Sequence, residues 1–315
     1  MARSMTVPTV TKLHQIGVAW NWQYDIDFIR LLDQAFHKAG LDSYLIGLHN
    51  LAQTTGEVER GERQFRWFLD RASDEDAHFL KLNQLLTAKG THILNAHDHY
   101  LRASDKAEIH SDLVTSGLDL PATRIVLAYD REPQLSPAVL EPFAKPFIVK
   151  PAKGSGGRGV LTGAKTLDEV NQVRAKHHAQ RFLIQQKIEP QILGDRRAWF
   201  RVYYVGGTAI PCWWDDRTHR YIVVDPQDSR GINFAELDRI IRVIAGIAKL
   251  DFFSAEVALD TRGRYVVIDY VNTPCDMRLQ SKYANAVPDR LVQQIVAALT
   301  GYLKVQMPSP NGSGG

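Results

Sequence analysis

Residues 147–160, Phe-Ile-Val-Lys-Pro-Ala-Lys-Gly-Ser-Gly-Gly-Arg-Gly-Val, hold the densest chemical signal in this chain. The apolar run Phe147 to Val149 reads as a buried strand that ends in Lys150. A loop follows that carries Lys153, Gly154, Ser155, Gly156, Gly157 and Gly159. Without Cβ atoms, backbone N–H groups can close around phosphate oxygens, while a lysine ammonium supplies a point charge. The stretch therefore suits a polyphosphate. It has neither the phosphate-loop spacing with its Lys-Ser or Lys-Thr pair nor three spaced glycines opening a helix. A helix is expected after it, because Thr166 and Glu169 have capping-box spacing ahead of apolar Leu167, Val170 and Val173. The bland alternative is a flexible hairpin tip.

A second set of candidates is acidic. Glu256 interrupts the apolar run 252–259, and Asp269 ends the run 265–268, with Asn272 and Pro274 close behind. A hairpin turning at Asp260 to Gly263 would bring Glu256 beside Asp269. Two carboxylates at the edge of a core repel and lose hydration. A divalent cation relieves both costs, and two carboxylates with an amide suit Mg²⁺, or Mn²⁺ in its place. Otherwise Glu256 faces solvent and Asp269 caps a turn. His97-Asp98-His99 has no third ligand nearby and reads as a polar loop. Arg278 could bind a substrate carboxylate bidentately or sit solvated at the surface, and the Trp213 to His219 patch is open to the same two readings.

Composition limits what can surround these residues. Hydrophobic residues make up 44% and charged residues 23% of 315, as in a globular protein of two or three subdomains. A net charge of +3 is too small to argue for nucleic acid or an anionic membrane as partner. Cys212 and Cys275 suggest neither metal nor disulfide, so a reducing cytoplasm is expected. No apolar leader is expected, and no stretch approaches a span of ~20 apolar residues.

Strand, helix and strand are expected at 14–20, from Asp25 or Asp27 to Gly40, and at 44–48, forming a small parallel α/β unit. Residues 57–76 read as helical with Phe65, Phe68 and Leu69 inward. Residues 79–86 continue as helix to Gly90, and 91–95 is a strand. Another helix starts near Asp105-Lys106, and Pro121 leads into a strand ending at Leu127. Residues 181–188 form a strand that turns polar, as a hinge would. Residues 199–207 and 209–214 make a hairpin across Gly206-Gly207, and 215–220 is a polar loop. Residues 234–249 are helical, 252–259 and 265–268 are strands, and Pro288 opens a last amphipathic helix.

In this order and spacing the elements resemble the ATP-grasp superfamily, which includes D-alanine–D-alanine ligases and ribosomal-protein glutamate ligases. The resemblance rests on Ser104-Asp105-Lys106 before a helix, Ile148-Val149-Lys150-Pro151 with its glycine loop, and the hinge Leu183 to Ile188. Arg201 to Gly207, Glu256, and Ile268-Asp269-Tyr270-Val271-Asn272-Thr273-Pro274 complete the series. It covers nearly the whole chain and implies an α/β (α+β) ATP-grasp fold. The implied parts are an N-terminal pre-ATP-grasp α/β domain (1–103), a central and lid subdomain (104–186), a C-terminal antiparallel-sheet catalytic subdomain (187–306) and a disordered tail (307–315).

The resemblance also implies ATP and Mg²⁺ as cofactors. Lys106 and Lys150 would contact phosphates beneath a mobile loop made by Lys153, Gly154, Ser155, Gly156, Gly157 and Gly159. Gln185 or Gln186, with the backbone of Lys187 and Ile188, would hold adenine. Glu256, Asp269 and Asn272 would bind the metal, and Arg201 the transferred phosphoryl group. The implied reaction is ADP-forming ligation of a small-molecule carboxylate to an amine through an acyl phosphate, with no nucleic acid or membrane partner and a homodimer as one option. A hydroxyl kinase and a non-catalytic nucleotide-binding protein are the competing readings. Three departures stand out: the hinge has Gln185-Gln186 in place of a carboxylate, Asp269-Tyr270-Val271-Asn272 is one residue longer than the usual Glu-x-Asn, and Arg197 competes with Arg201. With the longer motif, Asp269 and Asn272 are not expected to share the usual register.

Overall fold

The computed structural model describes residues 11–154, 156–225 and 229–307. The chain divides into one unit of residues 11–97, 277–284 and 289–307 and another of 98–276 and 285–288. Ser155 and the tail 308–315 lie outside the described residues.

The first unit is a parallel sheet ordered β2-β1-β3-β4, built from β1 (Lys12–Trp20), β2 (Ser43–Ile46), β3 (Arg63–Arg71) and β4 (His92–Leu94). Helices α1 (Ile26–Lys38), α2 (Leu51–Glu59) and α3 (Ala77–Ala88) alternate with the strands, and the last helix, Asp289–Gln306, belongs to this unit as well. Helix α1 buries Phe28, Ile29, Leu32 and Phe36, a 3.6-residue stripe. Gly17 on β1 has no room for a side chain, since a Cβ there would come within 2.9 Å of the Phe65 ring.

The helix expected over 57–76 is in fact the end of α2 followed by β3, which pairs with both β1 and β4. Two buried arginines hid this central strand. Arg63 donates to Glu57 (2.6 Å) and lies 3.9 Å from the Tyr44 ring centroid. Arg71 donates twice to Asp25 (2.7 and 2.9 Å). Each charge is neutralised within the fold, so polar residues stand where a buried strand is normally apolar. Asp25→Ala would leave the Arg71 charge buried without its carboxylate. It should cost about 3–5 kcal/mol, read as a lower urea midpoint at unchanged slope.

Helix α4 (His97–Ser104) carries the chain into the second unit, so His97-Asp98-His99 is a first helical turn and not the expected loop. Helix α5 (Lys106–Thr115) follows, capped by Asp105, whose carboxylate accepts from Ala107 N. A sheet ordered β5-β8-β6-β7 comes next, made of β5 (Thr123–Val126), β6 (Phe147–Pro151), β7 (Leu161–Ala164) and β8 (Phe182–Gln186). Helix α6 (Leu167–Lys176) lies between β7 and β8 in the chain, with the Thr166–Glu169 capping box formed.

Strands β9 (Ile192–Leu193) and β10 (Arg196–Arg197) make a small ribbon. The largest sheet is antiparallel and ordered β13-β12-β11-β14-β15. It contains β11 (Trp199–Val205), β12 (Thr208–Asp215), β13 (Arg220–Val223), β14 (Phe252–Leu259) and β15 (Tyr265–Asn272). Helix α7 (Phe234–Ala248) packs Leu237, Ile240, Ile241 and Ile244 into one core with Phe200, Val202, Phe253 and Val257. The polar loop expected at 215–220 shrinks to a turn, because β12 runs through Asp215 and β13 starts at Arg220. Among the described residues no helix is long and apolar enough to cross a membrane.

Candidate active site

Side chains alternate along a strand, so Trp199, Arg201 and Tyr203 of β11 share the face opposite Phe200 and Val202. Residues directly opposed on neighbouring strands share a face as well. Arg201 is opposite Glu256 of β14, and Glu256 is opposite Asp269 of β15. Asp269 and Asn272 are three residues apart and would diverge on a regular strand. Here they oppose Glu256 and Ser254, which are two apart, with the register shift between them. A bulge takes up the extra residue and returns both side chains to the face of Arg201. The expectation that they could not share this register is thereby corrected.

The Arg201 guanidinium is held on three sides. Its Nη2 donates to Glu256 Oε1 and its Nη1 to Ser254 Oγ (3.3 Å), while Cζ lies 4.4 Å from the Trp214 ring centroid. Trp199 Nε1 donates to the other Glu256 oxygen at 3.1 Å. Burial pushes the Glu256 carboxyl above its ordinary value despite Arg201. Burial would raise Asp269 too, but Lys106, Lys150 and Arg201 outweigh it and hold Asp269 below its ordinary value. The rival Arg197 is gripped by Asp216 (2.8 and 3.0 Å) and does not join Glu256. Trp213 packs at a tilt against Phe200 within the core, so only Trp214 of that pair meets Arg201.

Two lysines approach from other elements. Lys106 Nζ lies 3.5 Å from Asp269 Oδ1 and donates to the Gly154 carbonyl at 3.1 Å. The contact with Asp269 is ionic, since Oδ1 is buried and has no hydrogen-bond partner among the described residues. Lys150 Nζ donates to the Ile268 carbonyl at 2.8 Å and lies 5.4 Å from the Tyr270 ring centroid. Burial first, and then Lys106, bring the Lys150 ammonium down to about 8, against the pull of Asp269 and Glu256. Asp105, fixed by Arg181 at 3.0 Å, starts α5 and so sets Lys106, whose backbone N–H donates to the Ala152 carbonyl at 2.9 Å. Gly154, Gly156, Gly157 and Gly159 all have positive φ, a path few other residues would follow. Lys153 Nζ reaches to 3.8 Å from Asp105.

At the hinge the two glutamines separate. Gln186 clamps the backbone of Ala144, accepting from its N–H at 2.7 Å and donating to its carbonyl at 3.5 Å. Gln185 lies beside Ile148 in register and thus on the face of Lys150, while Lys187 and Ile188 follow the strand. Arg278 belongs to the first unit, where its Cζ is 5.6 Å from the Trp22 ring centroid. Sequence reasoning missed Trp199, Ser254, Arg181, His110 and the part played by Tyr270. For His110 a signal existed: it falls one helical turn after Lys106, on the same side of α5.

No family model matches the chain, and no curated protein matches it. Solved structures do. The ATP-grasp ligase PsnB, complexed with a minimal precursor, Mg and ADP, aligns over 92% of this chain and 98% of its own at TM-score 0.63 and 13% identity. A RimK-domain ATP-grasp protein from Sphaerobacter thermophilus aligns over 91% and 99% at TM-score 0.62 and 20% identity. The D-alanine–D-alanine ligase of Bacillus anthracis aligns over 93% and 100% at TM-score 0.59 and 14% identity. Identities this low speak for architecture, and over nearly its whole length the chain has the ATP-grasp fold.

Proposed function

We propose that the protein joins a carboxylate to an amine at the expense of ATP. The observation that carries this is the meeting of Lys106, Lys150 and Arg201 with Glu256 and Asp269 on one buried surface. Three cations against two carboxylates leave one positive charge in excess, and a magnesium nucleotide of net charge about −2 has the complementary sign. The likeness to ligases, one of them complexed with Mg and ADP, supports the same reading.

The donor set fits Mg²⁺. Asp269 offers a buried oxygen without a hydrogen bond, Glu256 keeps lone pairs beyond those used by Arg201 and Trp199, and Asn272 supplies an amide oxygen in register. When bound, Mg²⁺ would offset charge on the β- and γ-phosphates. Lys106 and Lys150 hold the phosphate oxygens, and the glycine loop excludes water. A substrate carboxylate oxygen attacks the γ-phosphorus, the bond to the β–γ bridging oxygen breaks, and ADP leaves with the electron pair. Arg201, already fixed on three sides, faces the charge that develops. An amine nitrogen then attacks the acyl carbon, phosphate departs with the former carboxylate oxygen, and the amine gives up a proton.

This mechanism predicts an isotope result. With pooled acids and amines screened for acceptor-dependent ADP release, and the carboxylate then labelled with ¹⁸O, one labelled oxygen should appear in phosphate for each amide formed. A phosphoester product with unlabelled phosphate would make the protein a hydroxyl kinase instead.

A further inference from the structure

Two places where the chain departs from the ATP-grasp pattern, the hinge at Gln185 and the lengthened acidic motif that contains Tyr270, touch each other. Gln185 Nε2 donates to Tyr270 Oη at 3.1 Å and to Thr123 Oγ1 at 2.9 Å. Tyr270 Oη lies 2.7 Å from His110 Nδ1, with the two rings stacked at 5.8 Å. Thr123, Gln185 and Ile148 form one row across three strands, beside Lys150.

The polarity of this chain of hydrogen bonds is fixed at one end. Thr123 Oγ1 donates to the Pro121 carbonyl at 2.7 Å, and a carbonyl can only accept. The threonine proton is thereby committed, so the hydroxyl can only accept from Gln185. The amide must place its NH₂ toward Thr123, and an end-for-end flip would set two acceptors against each other. The second amide hydrogen goes to Tyr270, whose own proton then goes to His110 Nδ1. A neutral imidazole suits that role, and burial, with Lys150 nearby, lowers the His110 pKa. Both Gln185 N–H groups are thus spent inside the protein. Its Oε1 has no hydrogen-bond partner among the described residues.

We propose that Tyr270 and His110 are positioning residues that lock the Gln185 amide with its carbonyl oxygen toward the nucleobase, so that the site selects a base with an exocyclic amino group over one with an oxo group. The inference rests on the nucleotide reading given above. An amino group donates to the fixed oxygen, as adenine can. An oxo group at the same ring position brings a second acceptor against it, and the amide cannot turn to accommodate it.

ADP and IDP, which differ at that ring position, test this by titration calorimetry with Mg²⁺ present. The wild type should prefer ADP by about 100-fold. Tyr270→Phe keeps the ring beneath Lys150 and removes only the hydroxyl; the preference should drop to about tenfold, with circular dichroism unchanged. Gln185→Met leaves the tyrosine in place and should bring the preference to about threefold or less. A loss confined to phosphate contacts would lower both affinities without moving the ratio. Equal wild-type affinity for the two nucleotides would overturn the proposal and leave the nucleotide site standing. A ratio unmoved in Tyr270→Phe would also overturn it, since Gln185 would then need no help from Tyr270. Binding of neither nucleotide would instead sink the nucleotide reading, and the proposal with it.

Discussion

Lys150→Met should make the protein more stable while abolishing turnover. The ammonium is buried, and burial together with Lys106 brings its pKa from an ordinary 10.5 to about 8. Holding it charged at pH 7 therefore costs on the order of 3 kcal/mol. Losing its bond to the Ile268 carbonyl would give back about 1 kcal/mol of that. A net gain of about 1–2 kcal/mol at pH 7 is expected, against a fall in turnover of roughly 10³-fold from lost phosphate stabilisation. The sign fixes the pH test. Between pH 8 and 10.5 the unfolded lysine holds a proton that the folded one has shed, so wild-type stability rises across that window. The advantage of Lys150→Met should shrink over the same range in thermal melts. A variant less stable than wild type at pH 7 would mean that its neighbours depend on the charge.

Arg201→Met should do the opposite to stability and the same to activity. Arg201 and Glu256 are both sheltered from solvent, and removing the arginine strands a carboxylate that burial already pushes above its ordinary range. The expected loss is about 3–5 kcal/mol at pH 7.5. With its partner gone, Glu256 rises further, and the folded state then binds a proton that the unfolded state lacks. Stability contributed in this way is present at low pH and lost as pH rises, so the deficit should narrow on going from pH 7.5 to 5.5. Adding Glu256→Gln to Arg201→Met should recover part of the stability at pH 7.5 and none of the turnover. Recovery of turnover would show that Arg201 acts only by neutralising Glu256.

Much of the fold is legible in the sequence. The Thr166–Glu169 cap, the Gly206-Gly207 hairpin and the stripe on α7 follow local rules, and local rules held. The site lay partly open for a different reason: lysines at a strand end and a helix start, and acids breaking apolar runs, are costly enough to suggest a purpose. What stayed hidden depends on partners far off in sequence. Arg63 and Arg71 made β3 look amphipathic because Glu57 and Asp25, which neutralise them, come from other elements. Counting residues put Asp269 and Asn272 out of register, whereas a bulge obeys pairing and not counting. Nothing near Tyr270 in the sequence points to its role, since Gln185 is 85 residues away.

The helix after residue 288 belongs to the same unit as the first strands, and the whole of 98–276 intervenes. That order matters on the ribosome. Each nascent chain makes the parallel sheet and α1 first, then the sheets of the second unit, and only last the helix that shares a unit with α1. The second unit has all its strands in hand while the first is still short of a helix, so whatever part of α1 meets that helix must wait out the synthesis of 98–276. A chaperone that shelters the amphipathic face of α1 would act on this protein before its last helix is made.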